Sequence, residues 1–248
     1  MIPDRILSIL VLTAAVAFAA SPVIFPEFAG YDPDLFPIRQ DDPPVQPAGW
    51  AFSIWGVIYA WLILGAGYGL WRHADDAGWR AMRLPLLASL AIGFFWIPVA
   101  NRMPGLATIM ILGMLATAVA AMLRAGRDAP WWQGRPVALY AGWLTAASGV
   151  SVGIWLAGFG YLGPQAAAIL ALVAVTGLAL AVQARRPGEW AYPVAVIWAL
   201  AGVVAQNWRP GNWTVIALAV IGTAALSGRI LANRRASHHA PASERGRP

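Results

Sequence analysis

Pro47–Tyr59 reads PAGWAFSIWGVIY. A proline and a glycine break the chain, and an apolar run opens directly behind them. It continues to Trp71 without a charged side chain, and Trp50, Phe52, Trp55, Tyr59 and Trp61 crowd its first half. A helix needs roughly 20 residues to cross a hydrocarbon core of about 30 Å, so this run is long enough to span a bilayer. Its aromatic content exceeds what crossing requires. That surplus is the first functional clue.

The pattern repeats along the chain. Of 248 residues, 59% are hydrophobic and only 11% charged, against roughly 25% charged in soluble domains. Apolar runs separated by arginine-bearing breaks predict spans at about 6–25, 50–71, 84–100, 105–123, 136–158, 164–184, 190–207 and 212–228. Pro22, Pro104, Pro136, Pro164 and Pro210 punctuate their ends. The expected fold is all-α, a polytopic transmembrane helical bundle of about eight helices. A β-barrel would instead show segments of about ten residues alternating apolar and polar, and none is present.

All 17 basic residues are arginine. With the N-terminus placed in the cytoplasm, Arg5, Arg72, Arg80, Arg83, Arg124, Arg127, Arg135, Arg185, Arg186, Arg229, Arg234, Arg235, Arg245 and Arg247 fall on the cytoplasmic side. Only Arg39, Arg102 and Arg209 fall outside. This asymmetry predicts that both termini are cytoplasmic, and the expected location is a bacterial inner membrane. The formal charge of +6 therefore reads as topology, with the lipid bilayer as partner and no nucleic acid. The first span has a rival reading as a cleaved signal peptide, because Ala19, Ala20 and Ser21 follow its apolar run. With no cysteine in the chain, disulfides and thiolate chemistry are excluded.

No Asp, Glu, Arg, Lys or His lies inside any of these spans. Proton relays and many ion-coupled transporters use such groups, intramembrane metal hydrolysis needs His and carboxylate ligands, and a serine nucleophile needs a base. The expectation is a protein that is not an enzyme, with neither a catalytic nor a metal site. The outer loop 26–49 is acidic and proline-rich, so it is not a regular helix; it is either a solvated connection or a lid. The polar tail 233–248 holds His238 and His239 and is expected to be a disordered cytoplasmic segment.

The spans are rich in aromatic and weakly polar groups. Trp131, Trp132, Trp190, Trp208 and Trp213 lie near span ends, where an interfacial belt explains them. Trp55, Trp96, Trp143, Trp155 and Trp198 lie within spans. Ser148 and Ser151 could bond a ligand or their own helix, and Gly149 with Gly153 suits helix packing.

These residues carry a resemblance. The sequence resembles the TspO/MBR family, the tryptophan-rich sensory proteins related to the mitochondrial translocator protein. Members have five transmembrane helices, and the second opens on a Pro-Pro-x-Trp-x-Phe sequence followed by a Trp and, four residues later, a Tyr. Pro47, Trp50, Phe52, Trp55 and Tyr59 match it, with Ala48 in place of the second proline. The family's fifth helix places an Asn eight residues after a Trp, then Ile-Trp; Trp143, Ser151, Ile154 and Trp155 stand there. Trp96 fits the third helix, where Gly93 replaces an asparagine. The resemblance covers residues 1–158, so 159–232 reads as three additional helices and the chain as a longer, eight-span branch.

The resemblance implies a pocket within 1–158, capped by the loop before the second helix. It also implies a porphyrin, haem or sterol-like ligand and a homodimer. The residues expected to line the pocket are Trp50, Phe52, Trp55, Tyr59, Trp96, Trp143, Ser151 and Trp155, with Arg39 a candidate partner for ligand carboxylates. The leading reading is a sensory or regulatory ligand-binding membrane protein. A transporter of a hydrophobic small molecule and a structural membrane subunit are the alternatives.

Overall fold

The computed structural model describes residues 3–25, 28 and 30–239. Eight long helices carry the described chain: α1 Asp4–Ile24, α2 Ile54–Arg72, α3 Ala77–Ala100, α4 Pro104–Arg124, α5 Gly134–Gly158, α6 Pro164–Arg185, α7 Ala191–Trp208 and α8 Trp213–His239. Each is long and apolar enough to cross a membrane, so the expected all-α bundle of eight spans is what the chain forms. One end of the bundle gathers the arginine-bearing turns. The other carries the connection between α1 and α2, and is called the loop end below.

Two boundaries differ from the sequence reading. Helix α3 starts at Ala77 rather than near residue 84, because Asp76 caps it, its carboxylate accepting from Gly78 N–H at 2.7 Å. Two arginines in its first turns do not break it, since Arg80 pairs with Asp4 and Arg83 turns inward. Pro85 thus lies inside the helix. At the other end of the chain, α8 continues past Arg229 to His239, into the segment expected to be a disordered tail. Residues 240–248 of that tail lie outside the described residues, as do Pro26, Glu27 and Ala29 of the outer loop.

Helix α5 is the axis. It touches α2, α4, α6 and α7 and is buried on nearly every side. Its sequence allows this because small residues recur around the whole helix, letting neighbouring backbones approach where lipid supplies no hydrophobic driving force. At Gly142 a Cβ would sit 2.1 Å from Tyr192 O on α7, so only glycine permits that crossing. Three residues on, Thr145 Oγ1 donates to Ala141 O, and Tyr192 O–H therefore donates to Thr145 across the same interface (2.9 Å).

The outer loop packs against this frame. Apart from short 3-10 turns at Pro33–Leu35 and Gly49–Ser53, it is irregular, as its prolines require. Its backbone groups are tied down: Ile38 N–H donates to Gly158 O (2.9 Å) and Ala48 N–H to Gly202 O (3.0 Å). Asn207 Nδ2 donates to Pro44 O and Trp198 Nε1 to Ala51 O, both at 2.8 Å. A Cβ at Gly202 would lie 2.8 Å from the Cβ atoms of both Pro47 and Ala51. The Pro47–Ala51 segment is therefore seated on α7, and that close approach needs the glycine.

Candidate functional site

Above the middle of α5, towards the loop end, the helices do not close. A cavity of about 310 Å³ remains, at the small end of the range for ligand pockets. Its floor and walls come from seven helices and the outer loop. Among the described residues lining it, none carries a charge. Aromatic rings form one wall: Trp55 stacks on Tyr59 (5.2 Å, 17°), and Phe52 and Trp55 each meet Trp143 edge to face at 5.9 and 6.0 Å. Phe18 of α1 packs edge-on against Trp55 and Tyr59, an arrangement that ring quadrupoles favour.

Six of the eight residues singled out from the sequence meet here: Phe52, Trp55, Tyr59, Trp96, Trp143 and Ser151. Trp50 and Trp155 do not line the cavity. Trp50 is half-exposed and packs edge to face on Trp198 at 4.9 Å; it begins the turn before α2, and the pitch of that turn aims it away. Trp155 stacks on Tyr161 at 5.1 Å. Gly93 is a lining residue, and a Cβ there would lie 2.6 Å from the Phe18 ring. That ring therefore leaves no room for a larger side chain at the position.

The cavity is not confined to residues 1–158. Ala171, Leu172 and Val175 of α6 and Ala199, Leu200 and Val203 of α7 complete its wall. The motif residues all lie in the first five helices, so sequence motifs alone could not reveal a wall made of plain Ala, Leu and Val.

Polar groups enter at two places. Tyr31 Oη lies 2.6 Å from Ser151 Oγ, and Ser151 Oγ lies 2.8 Å from Thr108 Oγ1. Thr108 Oγ1 is 2.8 Å from Pro104 O. A carbonyl only accepts, so Thr108 donates to it, Ser151 donates to Thr108, and Tyr31 donates to Ser151. Burial pushes the Tyr31 phenol above its ordinary value, against the opposing effect of the Ser151 and Thr108 hydroxyls; it is a neutral group. The second polar place is among the indoles. Trp96 Nε1 donates to Ala107 O at 2.9 Å. Trp143 Nε1 is buried and has no partner among the described residues.

Arg39 does not serve the cavity. It is exposed, pairs with Asp34 and Asp41, and is absent from the lining. Those two carboxylates raise its already high pKa.

The arginine-rich end holds polar structure that the topological reading missed. Arg83 is fully buried and donates to Gly69 O and Ala74 O at 3.2 and 2.7 Å, and also to His73 O. It thereby caps the C-terminus of α2. Arg186 donates to Met122 O, Ala125 O and Gly126 O at 2.6–3.0 Å, capping α4 in the same way. Burial holds Arg186 below its ordinary value and Glu189 above its own, with Arg186 and Arg135 opposing the Glu189 shift. Among the described residues no group of three or more His, Cys, Asp or Glu could hold a metal ion.

A family model described as TSPO-like protein matches residues 36–232, from the outer loop through α8. Comparison with curated proteins and with solved structures gives no match. The match covers well over half of the chain, includes the Pro47–Tyr59 segment, and agrees with eight membrane-spanning helices. The chain therefore belongs to the TSPO-like protein family and is an integral, multi-pass membrane protein.

Proposed function

We propose that this protein is a sensory or regulatory membrane protein that binds a flat hydrophobic ligand, of the porphyrin, haem or sterol kind, in the cavity above α5. One observation carries the reading. The cavity is walled by stacked and edge-on aromatic rings, contains no charged side chain among the described residues, and leaves one buried indole N–H unpartnered. A flat apolar ligand gains affinity there from ring contacts and area burial without desolvating an ion. The seated outer loop supports a role as the cavity's cap. In this reading residues 1–158 supply the motif side chains, and 159–232 the aliphatic remainder of the wall.

No charged side chain lines the cavity among the described residues, which leaves a coupled transport cycle no buried charge to couple through, so binding is favoured over transport. The arginine asymmetry supports an orientation with both termini cytoplasmic; a reporter fused after Arg235 should be active only if it works in the cytoplasm. Purified protein should bind added protoporphyrin with quenching of tryptophan fluorescence, or retain a pigment visible in its absorbance spectrum. Trp190→Ala, at the arginine-rich end, should quench as the wild type does, and Trp55→Ala should quench less. Failure of tetrapyrroles, sterols and smaller polycyclic molecules alike to bind would leave the structural-subunit reading in its place.

A further inference from the structure

The arginines of the arginine-rich end fall into two groups. On the side of α1, α2 and α3, and at the start of α5, the protein uses them itself. Arg80 pairs with Asp4 and Arg83 caps α2. The guanidinium groups of Arg72 and Arg135 each lie 3.9 Å from a ring, Trp71 and Trp131. Arg5 has no partner among the described residues, but Asp75 and Asp76 share its side, where Ser8 of α1 donates to Ala74 O. The side of α4, α6 and α8 differs. Arg186 turns inward, but Arg124 and Arg127 at the end of α4, Arg185 at the end of α6, and Arg229 and Arg234 on α8 are exposed. None of the five makes a hydrogen bond, ion pair or ring contact among the described residues. Described carboxylates on that side are Asp128 and Glu189, and Glu189 is buried.

Packing sets these arginines at one depth. Arg186 donates to Met122 O, Ala125 O and Gly126 O, which seats the end of α6 on the end of α4 beside Arg124. Helices α6 and α8 run side by side: a Cβ at Gly222 would lie 2.7 Å from Thr176 Oγ1, and Asn233 Nδ2 donates to Pro187 O at 2.9 Å, with the same offset at both levels. Arg229 therefore stands within one helical turn of Arg185 along the bundle. A rule of membrane orientation explains why arginines gather at this end. It does not explain why one side consumes them and the other leaves them open.

We propose that the α4, α6 and α8 side of the arginine-rich end is a docking surface for anionic phospholipid headgroups, with Arg185 and Arg229 as its central contacts. A planar guanidinium matches a phosphodiester. Lipid rather than a soluble anion is the occupant because Arg124 and Arg185 end apolar spans, which puts their charges at headgroup depth, and exposed Leu123 and Leu178 lie just below them for acyl chains. The surface is independent of the cavity and of its ligand.

The test places the full chain in nanodiscs of equal parts dioleoyl phosphatidylcholine and dioleoyl phosphatidylglycerol, and counts the lipids it retains by intact-protein mass spectrometry. One arginine near an anionic surface corresponds to about a five-fold preference. The wild type should retain phosphatidylglycerol in about five-fold excess or more. Arg185→Gln with Arg229→Gln should bring that excess to within about two-fold of parity. The charge-matched pair Arg5→Gln with Arg72→Gln should leave it unchanged. All four side chains are exposed, so both pairs should keep the wild-type Tm in detergent. Equal retention of the two lipids by the wild type overturns the proposal, and that comparison needs no variant. An equal loss in both pairs would show a general charge effect and overturns it too. Displacement of the retained lipid by excess glycerol phosphate would make this a site for soluble anions and overturns the lipid assignment.

Discussion

The two ends of the bundle differ in the kind of polar group they bury. At the arginine-rich end charged side chains turn inward: buried Arg83 and half-buried Arg186 spend N–H groups on carbonyls at the ends of α2 and α4, while Arg135 Nη1 and Glu189 Oε1 are buried without a hydrogen-bond partner among the described residues. Towards the loop end no charge lines the interior among the described residues, yet a neutral donor, Trp143 Nε1, is left over. Charge-assisted bonds to carbonyls are strong and local, so they suit helix ends that must stay fixed. A buried neutral donor costs less to leave unpartnered than a buried charge does.

The largest expected effect breaks the architectural end. Arg83→Ala removes three carbonyl contacts and leaves the end of α2 uncapped inside the protein. Bonds to charged groups are worth about 1.5–3 kcal/mol each, and they are not additive, so a loss of about 3 kcal/mol is expected as a lowered Tm in detergent. Protoporphyrin binding measured below the new Tm should be unchanged. A comparable loss of affinity would show that the two ends are coupled.

A smaller effect separates the ends by pH. Glu189 is buried at the arginine-rich end, and burial raises its pKa above the ordinary 4.5. The folded state then binds the proton more tightly than the unfolded one. The stability this contributes is complete below about pH 4.5 and is lost as pH rises through the folded value. Glu189→Gln should remove that slope, so that the variant's Tm falls less than the wild type's as pH rises above the ordinary carboxylate range. Identical Tm-versus-pH curves would place the titration elsewhere.

At the cavity the same kind of substitution has the opposite sign. Trp143→Phe keeps a buried ring and deletes an unpartnered N–H, whose burial costs about 1–3 kcal/mol. Lost ring area offsets part of this. Without ligand, the variant should therefore be as stable as the wild type or more stable by about 1 kcal/mol. Trp143→Ala instead opens a hole and should cost about 3–5 kcal/mol. A large loss of Tm for the phenylalanine variant would mean that the N–H is satisfied in the apo protein. Smallest of all, Arg39→Ala at the exposed rim should leave Tm and ligand binding unchanged.

Span number and the position of most helix ends were legible in composition, charge spacing and proline punctuation, because a bilayer imposes length and polarity on each segment separately. The aromatic wall was legible for the same local reason: Phe52, Trp55 and Tyr59 recur near helical spacing and so share a face, and Trp143 and Ser151 lie two turns apart on α5. Trp50 and Trp155 show the limit. Both were singled out by motif position, but the direction of a side chain depends on how a turn is pitched and which neighbour it meets.

Several features were decided only when distant parts of the chain met. Tyr31 joins Ser151 from the loop, Thr108 joins from α4, and plain alanines and valines of α6 and α7 close a cavity that no motif announces. Arg83 and Arg186 read as topology in a linear sequence, since nothing local distinguishes an arginine facing headgroups from one turned inward onto carbonyls. What the sequence by itself determined is therefore the set of helices and the chemistry available to them, because those follow from the hydrophobic length of each segment. Which buried donors are satisfied and which are left unpartnered, only the tertiary structure decided, because hydrogen-bond satisfaction is a property of pairs brought together by packing.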